Sequence, residues 1–144
     1  MTLNQISVFL ENRPGQLEML TDCLAKNKIN MRALSLAETS EFGIVRMIVD
    51  DVSAASALLS AEGMIHTVTK VVGVAIPDEP GGLHRVLHVL TECGINVEYM
   101  YAFLARKTAD HAYMIFHVQD ADGAVAALQA RQMVCLTQED AANL

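Results

Sequence analysis

The chain repeats itself, and this restricts it to a few architectures. Asp78-Glu79-Pro80-Gly81-Gly82-Leu83 stands at one fixed offset from Asn12-Arg13-Pro14-Gly15-Gln16-Leu17. The same offset pairs Ile29-Asn30 with Ile95-Asn96, and Leu20 and Leu24 with Val86 and Leu90. The register then slips by a few residues near Thr108-Ala109-Asp110, where a longer hairpin loop is expected. Beyond the slip, Gly43 to Val49 matches Ala112 to Val118, and Leu59 matches Leu128. Such self-similarity marks a tandem of one supersecondary unit. The 144 residues divide into an expected first repeat at 1–68 and a second at 69–144. Halves this small lie near the lower size at which a core stands alone, so a shared core or interface is expected.

The repeated hexapeptide joins a strand pattern (Ile6, Val8, Leu10) to a helix pattern (Leu17, Leu20, Leu24). Pro14 suits a first helical position, where a missing N–H is no loss. Gly15 allows close approach to the backbone. The next N–H groups lack internal partners and carry the positive end of the helix dipole. Such an end accepts a carboxylate or a phosphate. An ordinary strand-to-helix turn fits one copy equally well; the second copy is what gives the pattern weight.

Periodicity supplies the remaining elements. Leu3 to Leu10 reads as a strand, Gly15 to Asn27 as an amphipathic helix, and Met31 to Ala37 and Ile44 to Val49 as hairpin strands. Asp50-Asp51 starts a helix running to about Ala61, with Gly63 as its stop. Ile65 to Ile76 is one β-branched run with no linker in it. It is expected to close the first repeat and open the second, with a bend or bulge at Gly73. In the second repeat Gly81 to Cys93 is a helix, Asn96 to Ala105 and His111 to Val118 are hairpin strands, and Asp120 to Ala130 is a helix. Gln132 to Thr137 closes the repeat, and Glu139 to Leu144 reads as an acidic tail. The fold class is therefore α+β: two ferredoxin-like βαββαβ repeats with antiparallel sheets, helices on one face and a long shared strand.

Composition excludes several functions. Hydrophobic residues make up 52% and charged ones 19%, which points to buried interfaces and a homodimer or larger assembly. No apolar run approaches the ~20 residues that span a bilayer, and the N-terminus lacks a basic region before an apolar core. Net charge is −7, which argues against nucleic acid as a partner. Cys23, Cys93 and Cys135 show no pairing pattern and read as free core thiols in a reducing cytoplasm.

Catalytic and metal chemistry find little support. His84 and His88 have a metal-compatible spacing, but no third ligand is evident. His66, His111 and His117 read as strand positions, and no Ser, His and Asp arrangement stands out. Gly81-Gly82 is not a phosphate loop, because no Lys-Ser or Lys-Thr follows it. Glu11, Asp78 and Glu79 lie by the two loops without forming a matched acid–base pair. Tyr99, Met100, Tyr101 and Phe103 gather bulk in one strand, either as sheet core or as an interface.

On these residues the chain resembles a tandem ACT-domain protein, a small-molecule-sensing module. The resemblance rests on the doubled βαββαβ order, both Pro-Gly loops, Asn30, Gly43 through Asp51, Gly94-Ile95-Asn96 and the Val71-to-Pro77 segment. It implies that a free amino acid sits between paired domains, against the loop Asn12, Arg13, Pro14, Gly15, Gln16 and Leu17. It also implies contributions from Asn30 with Met31, or from Asn96. The second loop offers Asp78, Glu79, Pro80, Gly81, Gly82 and Leu83, with Asp78 in place of the loop asparagine. Serine-sensing relatives carry a histidine two residues before that asparagine; Leu10 and Ile76 stand there instead, which argues against serine. The expected function is non-catalytic sensing of an amino acid or similar zwitterion, without cofactor or metal. The alternative is a ligand-independent regulatory subunit docking on a biosynthetic enzyme.

Overall fold

The computed structural model describes residues 1–104 and 110–144. The expected hairpin loop at Thr108-Ala109, and the Ala105 end of a predicted strand, lie outside the described residues. Two compact units emerge: Asn4–Thr69, and Met1–Leu3 together with Lys70–Leu144.

The Asn4–Thr69 unit takes in β1 (Leu3–Glu11) apart from its first residue, then α1 (Gln16–Lys26), β2 (Met31–Glu38), β3 (Phe42–Val49), α2 (Val52–Ala61) and the start of β4 (His66–Pro77). Its strand order is β4-β1-β3-β2, with β3 antiparallel to both β1 and β2. Alternation along β1 puts Ile6, Val8 and Leu10 on the helix side, where they meet Leu20 and Leu24 of α1 and Ala55 and Leu59 of α2. Each fully buried Ile, Val or Leu among them contributes on the order of 1.5–3 kcal/mol. Asp51 caps α2 by accepting from Ala54 N at 2.9 Å, as its acidic start predicts.

The other unit has the rest of β4, then α3 (Gly82–Glu92), β5 (Tyr99–Ala102), β6 (His111–His117), α4 (Ala121–Ala130), β7 (Val134–Cys135) and α5 (Gln138–Asn143). Its order, β7-β4-β6-β5, repeats the first. Val72, Val74, Ile76, Phe116 and Val118 pack against Val86, Leu90, Ala124 and Leu128. The aromatic strand mostly packs within its own unit. Met100 joins this core, Tyr99 stacks on His117 at 4.7 Å, and Phe103 meets Tyr113 edge-on.

Five details differ from the sequence reading, the first being that only Cys135 is a core thiol, while Cys23 is half-buried and Cys93 exposed. Gly73 is not a bulge, since β4 and β6 stay in register from Val72↔Phe116 to Pro77↔His111. A Cβ there would lie 2.7 Å from Leu3 Cδ1 and 3.2 Å from Leu136, so the glycine makes room for two leucines. Pro14 precedes the helix instead of opening it, because Gly15 at φ 87° is the residue flanking α1. The β5 strand starts only at Tyr99, where pairing with His117 begins. Last, β7 shrinks to two residues and the acidic tail becomes α5. Thr137 and Asp140 form a reciprocal capping box that turns the chain out of the sheet, and Ala141 is fully buried.

Candidate functional site

The two Pro-Gly loops share one backbone. In the first, Asn12 N donates to Glu41 O at 2.9 Å, Arg13 N to Glu11 O at 3.0 Å, Gln16 N to Arg13 O at 3.4 Å and Met19 N to Gly15 O at 3.0 Å. In the second, Asp78 N donates to Asp110 O, Glu79 N to Pro77 O, Gly82 N to Glu79 O and Arg85 N to Gly81 O, all within 2.9–3.1 Å. Gly15 and Gly81 take φ 87° and 88°, a left-handed turn that a side chain resists. A Cβ at either would meet nothing within 4 Å. Space in front of both turns is therefore open.

Both loops feed helices whose first turns lack a side-chain cap. The other three described helices are capped by Asp51, Asp120 and Thr137. N–H donors at the starts of α1 and α3 are thus left for something else to satisfy.

Side chains separate the loops. Asn12 Nδ2 donates to Thr39 O at 2.9 Å, tying the loop to the β2–β3 turn; among the described residues its Oδ1 meets no donor. Arg13 Nε sits 2.8 Å from Glu11 Oε2. With its amide oxygen turned inward, Gln16 accepts from the same guanidinium at 3.2 Å. The Arg13–Glu11 pair is more than half exposed, so it is weak and readily exchanged for a ligand carboxylate. Glu18 in the first turn of α1 competes for the dipole, and Arg13 offsets it. At the second loop Glu79 stands where the first has Arg13 and is held by Arg85, and Asp78 is exposed.

A cleft of about 90 Å³ sits at the first loop, lined by Asn12, Arg13, Gln16 and Leu17 with Leu36, Glu38 and Gly43 of the hairpin. At ~30 Å³ per water it has room for a group of a few heavy atoms. It meets, at Leu10, Glu11 and Gln16, a groove of about 600 Å³ along α1. Sequence reasoning missed that groove. Its walls include Phe9, Met19, Cys23, Phe42, Met64 and Ile65; only Phe9, apolar at a polar strand position, and Phe42, apolar in the expected hairpin loop, hinted at it. Burial, with the negative charges of Glu62 and Asp22, pushes the Cys23 thiol up.

Asn30, Met31 and Asn96 do not gather at the loop of their own unit. Leu10, beside the first loop, pairs with Gly43, whereas Met31 pairs with Val49 at the other end of β3, about 20 Å away at strand rise. Asn30 is engaged there with Asp50. Asn96 stands likewise by the His117 end of β6, while Asp78 bonds Asp110 at its start. The exposed pair His84 and His88 stack at 6.1 Å, and no cluster of three metal-ligating side chains occurs among the described residues. One pairing invisible in sequence is Ser56 Oγ–H to His66 Nε2 at 2.8 Å. His66 Nδ1–H donates to Met64 O at 3.0 Å; a carbonyl only accepts, which sets the tautomer. The pair pins the turn before β4. No helix of the described residues is long and apolar enough to cross a membrane.

No curated protein matches the chain. Among solved structures, a Bacteroides thetaiotaomicron protein is 36% identical, with a TM-score of 0.93 over 100% of this chain and 98% of that one. The ligand-free regulatory subunit of aspartate kinase from Thermus thermophilus is 17% identical, with a TM-score of 0.61 over 88% of this chain and 91% of that one. Aspartate kinase from Synechocystis is 20% identical, with a TM-score of 0.60; the match covers 89% of this chain and 25% of that one. These last two share the fold. The family model described as an ACT domain pair matches residues 1–144, and the chain belongs to that family of regulatory modules.

Proposed function

We propose that the protein is a non-catalytic sensor of a free amino acid or similar zwitterion, acting in the regulation of amino-acid metabolism. Each repeat, 1–68 and 69–144, is a domain in this reading. The observation that carries it is the contrast in capping. The helices after the two Pro-Gly loops lack side-chain caps, and the other described helices have them. An α-carboxylate fits the first helix end, held by the N–H groups after Gly15 and by Arg13. The ammonium group fits Asn12 Oδ1 and Glu11. Pro14 and Gly15 shape the turn; Gln16 and Leu17 wall it. The second loop, with Asp78, Glu79, Pro80, Gly81, Gly82 and Leu83, is the weaker site, because its acids repel a carboxylate. Asn30, Met31 and Asn96 form no part of either site as built within one unit. The three free cysteines fit a reducing cytoplasm, and β2, at the sheet edge among the described residues, fits a homodimer.

A thermal-shift screen of the twenty amino acids tests this reading. A ligand at one hundred times its Kd adds about 2.7 kcal/mol of stability; no shift with any of them sinks it. A second reading is a ligand-independent regulatory subunit that docks on a biosynthetic enzyme. The structural match to a kinase regulatory subunit along nearly its whole length favours it. A stoichiometric enzyme partner recovered without added ligand would support this second reading over the first.

A further inference from the structure

Among the described residues the groove along α1 has no single counterpart in the second repeat, although the backbone hydrogen bonds of the loop match. Strand register makes Ala75 the equivalent of Phe9 and His111 that of Phe42, since Glu11 pairs with Phe42 and Pro77 with His111. Phe9 N donates to Ile65 O, and Ala75 pairs with Val134, so Val134 answers to Ile65. Met19 and Cys23 answer to Arg85 and Val89 by the loop offset. Two aromatic rings and a thioether are thus exchanged for a methyl, an imidazole and a guanidinium. Around those residues two separate hollows lie among the described residues of the second repeat. One, of about 520 Å³, runs beside α5; the other, of about 300 Å³, is lined by His84, Arg85, His88, Val89 and Met133.

In the first repeat the apolar walls face solvent. Phe9 is 41% exposed, Phe42 54% and Ile65 73%, around one groove of about 600 Å³. That is the size of a small-molecule site. Its charged rim is acidic: Glu11 pairs with Arg13 and Asp22 with Lys26, and among the described residues Glu62 has no ion-pair partner. An anionic side chain is disfavoured there, and a small one would leave the walls wet.

Resting on the proposed amino-acid site at the first loop, we propose that the groove receives the ligand's side chain and selects a bulky apolar one, aromatic or long aliphatic. The head group sits at Arg13 and the first turn of α1. The side chain passes Leu10 and Gln16 into the space between Met19, Phe42 and Ile65. One such ligand binds per chain, because Glu79 stands in place of Arg13, and Ala75 and His111 stand in place of the aromatic walls.

The test is calorimetry with phenylalanine, leucine, methionine, serine, aspartate and lysine on the wild-type chain, Phe42→Ala and Ile65→Asp. Peptide-resolved alkylation of Cys23 at alkaline pH adds a readout inside the groove. The expected result is tightest binding of an apolar amino acid, at one site per chain. Either substitution weakens it at least tenfold in a protein that still folds, and the ligand slows alkylation of Cys23 but not of Cys93. Tightest binding of serine, aspartate or lysine, unaffected by Phe42→Ala and without protection of Cys23, overturns the groove as side-chain site while the loop reading stands. If none of these six binds and the thermal-shift screen finds no ligand among the twenty amino acids, the loop reading itself falls, and the groove proposal with it.

Discussion

The two Pro-Gly loops run along the same path through four matching backbone hydrogen bonds, yet they present opposite chemistry. The first offers a guanidinium paired with Glu11 and two amides; the second offers two acids, one of them tied to Arg85. The backbone of such a turn depends on glycine at one φ and on hydrogen bonds that any residue can make. Its side chains are therefore free to diverge after duplication. A shared loop fold does not make two equal sites.

The largest effect should come from the one position where the loops differ sterically. A Cβ on Gly82 would lie 2.2 Å from Pro77 O, whereas the equivalent residue of the first loop is already Gln16. Gly82→Ala should destabilise the protein by ~1–3 kcal/mol, as overpacking against fixed backbone does. Gln16→Ala should stay within about 0.5 kcal/mol. Equal denaturation midpoints for the two variants would show that the loops are more alike than their packing says.

Next come the flanking glycines. Gly15→Val and Gly81→Val should each lose about 1–2 kcal/mol of stability, because a β-branched residue is forced into a left-handed turn and not because space is short. Only Gly15→Val should also abolish amino-acid binding by calorimetry. A larger loss of affinity at Gly81→Val would reverse the ranking of the loops.

The pair Asn12→Ala and Asp78→Ala should act on binding alone, and short of the abolition expected for Gly15→Val. Asn12→Ala should weaken binding by ~1–3 kcal/mol, leaving a polar ligand group unpaired, and Asp78→Ala should change it less. If the two isotherms shift alike, the side chains do not distinguish the loops.

The mildest prediction contrasts the uncapped helices with α5. Hydrogen bonds from Thr137 hold the Asp140 carboxyl below its usual range. A depressed folded-state pKa means that this contribution is present above the ordinary carboxylate range and is lost as pH falls through the lowered value. The α5 amides should gain exchange rate below that range relative to Asp140→Ala, which lacks the pH-dependent component. The first turns of α1 and α3, with no such cap, should show no matching step.

Much of the fold was legible because it rests on local pattern. The Leu17, Leu20 and Leu24 stripe, the Asp51 cap and the β-branched run into Ile76 each carry their meaning within a few residues. The role of Gly73 was not legible, because it depends on Leu3 and Leu136 arriving from distant parts of the chain. Nor was α5, whose capping box sits in a short acidic stretch with a weak apolar stripe, and whose buried Ala141 is visible only once the chain is folded.

For the candidate site the division is similar. The sequence by itself determined the doubled strand–loop–helix plan, the placement of Gly15 and Gly81, and the charge contrast between Arg13 and Glu79. Those features follow from residue type and spacing. Only the tertiary structure decided that Asn12 is tethered to Thr39, that Asn30 lies at the far end of its unit from the loop, and that Phe9, Phe42 and Ile65 wall one groove. These are contacts across strands, set by register, and register depends on how a whole face is buried at once.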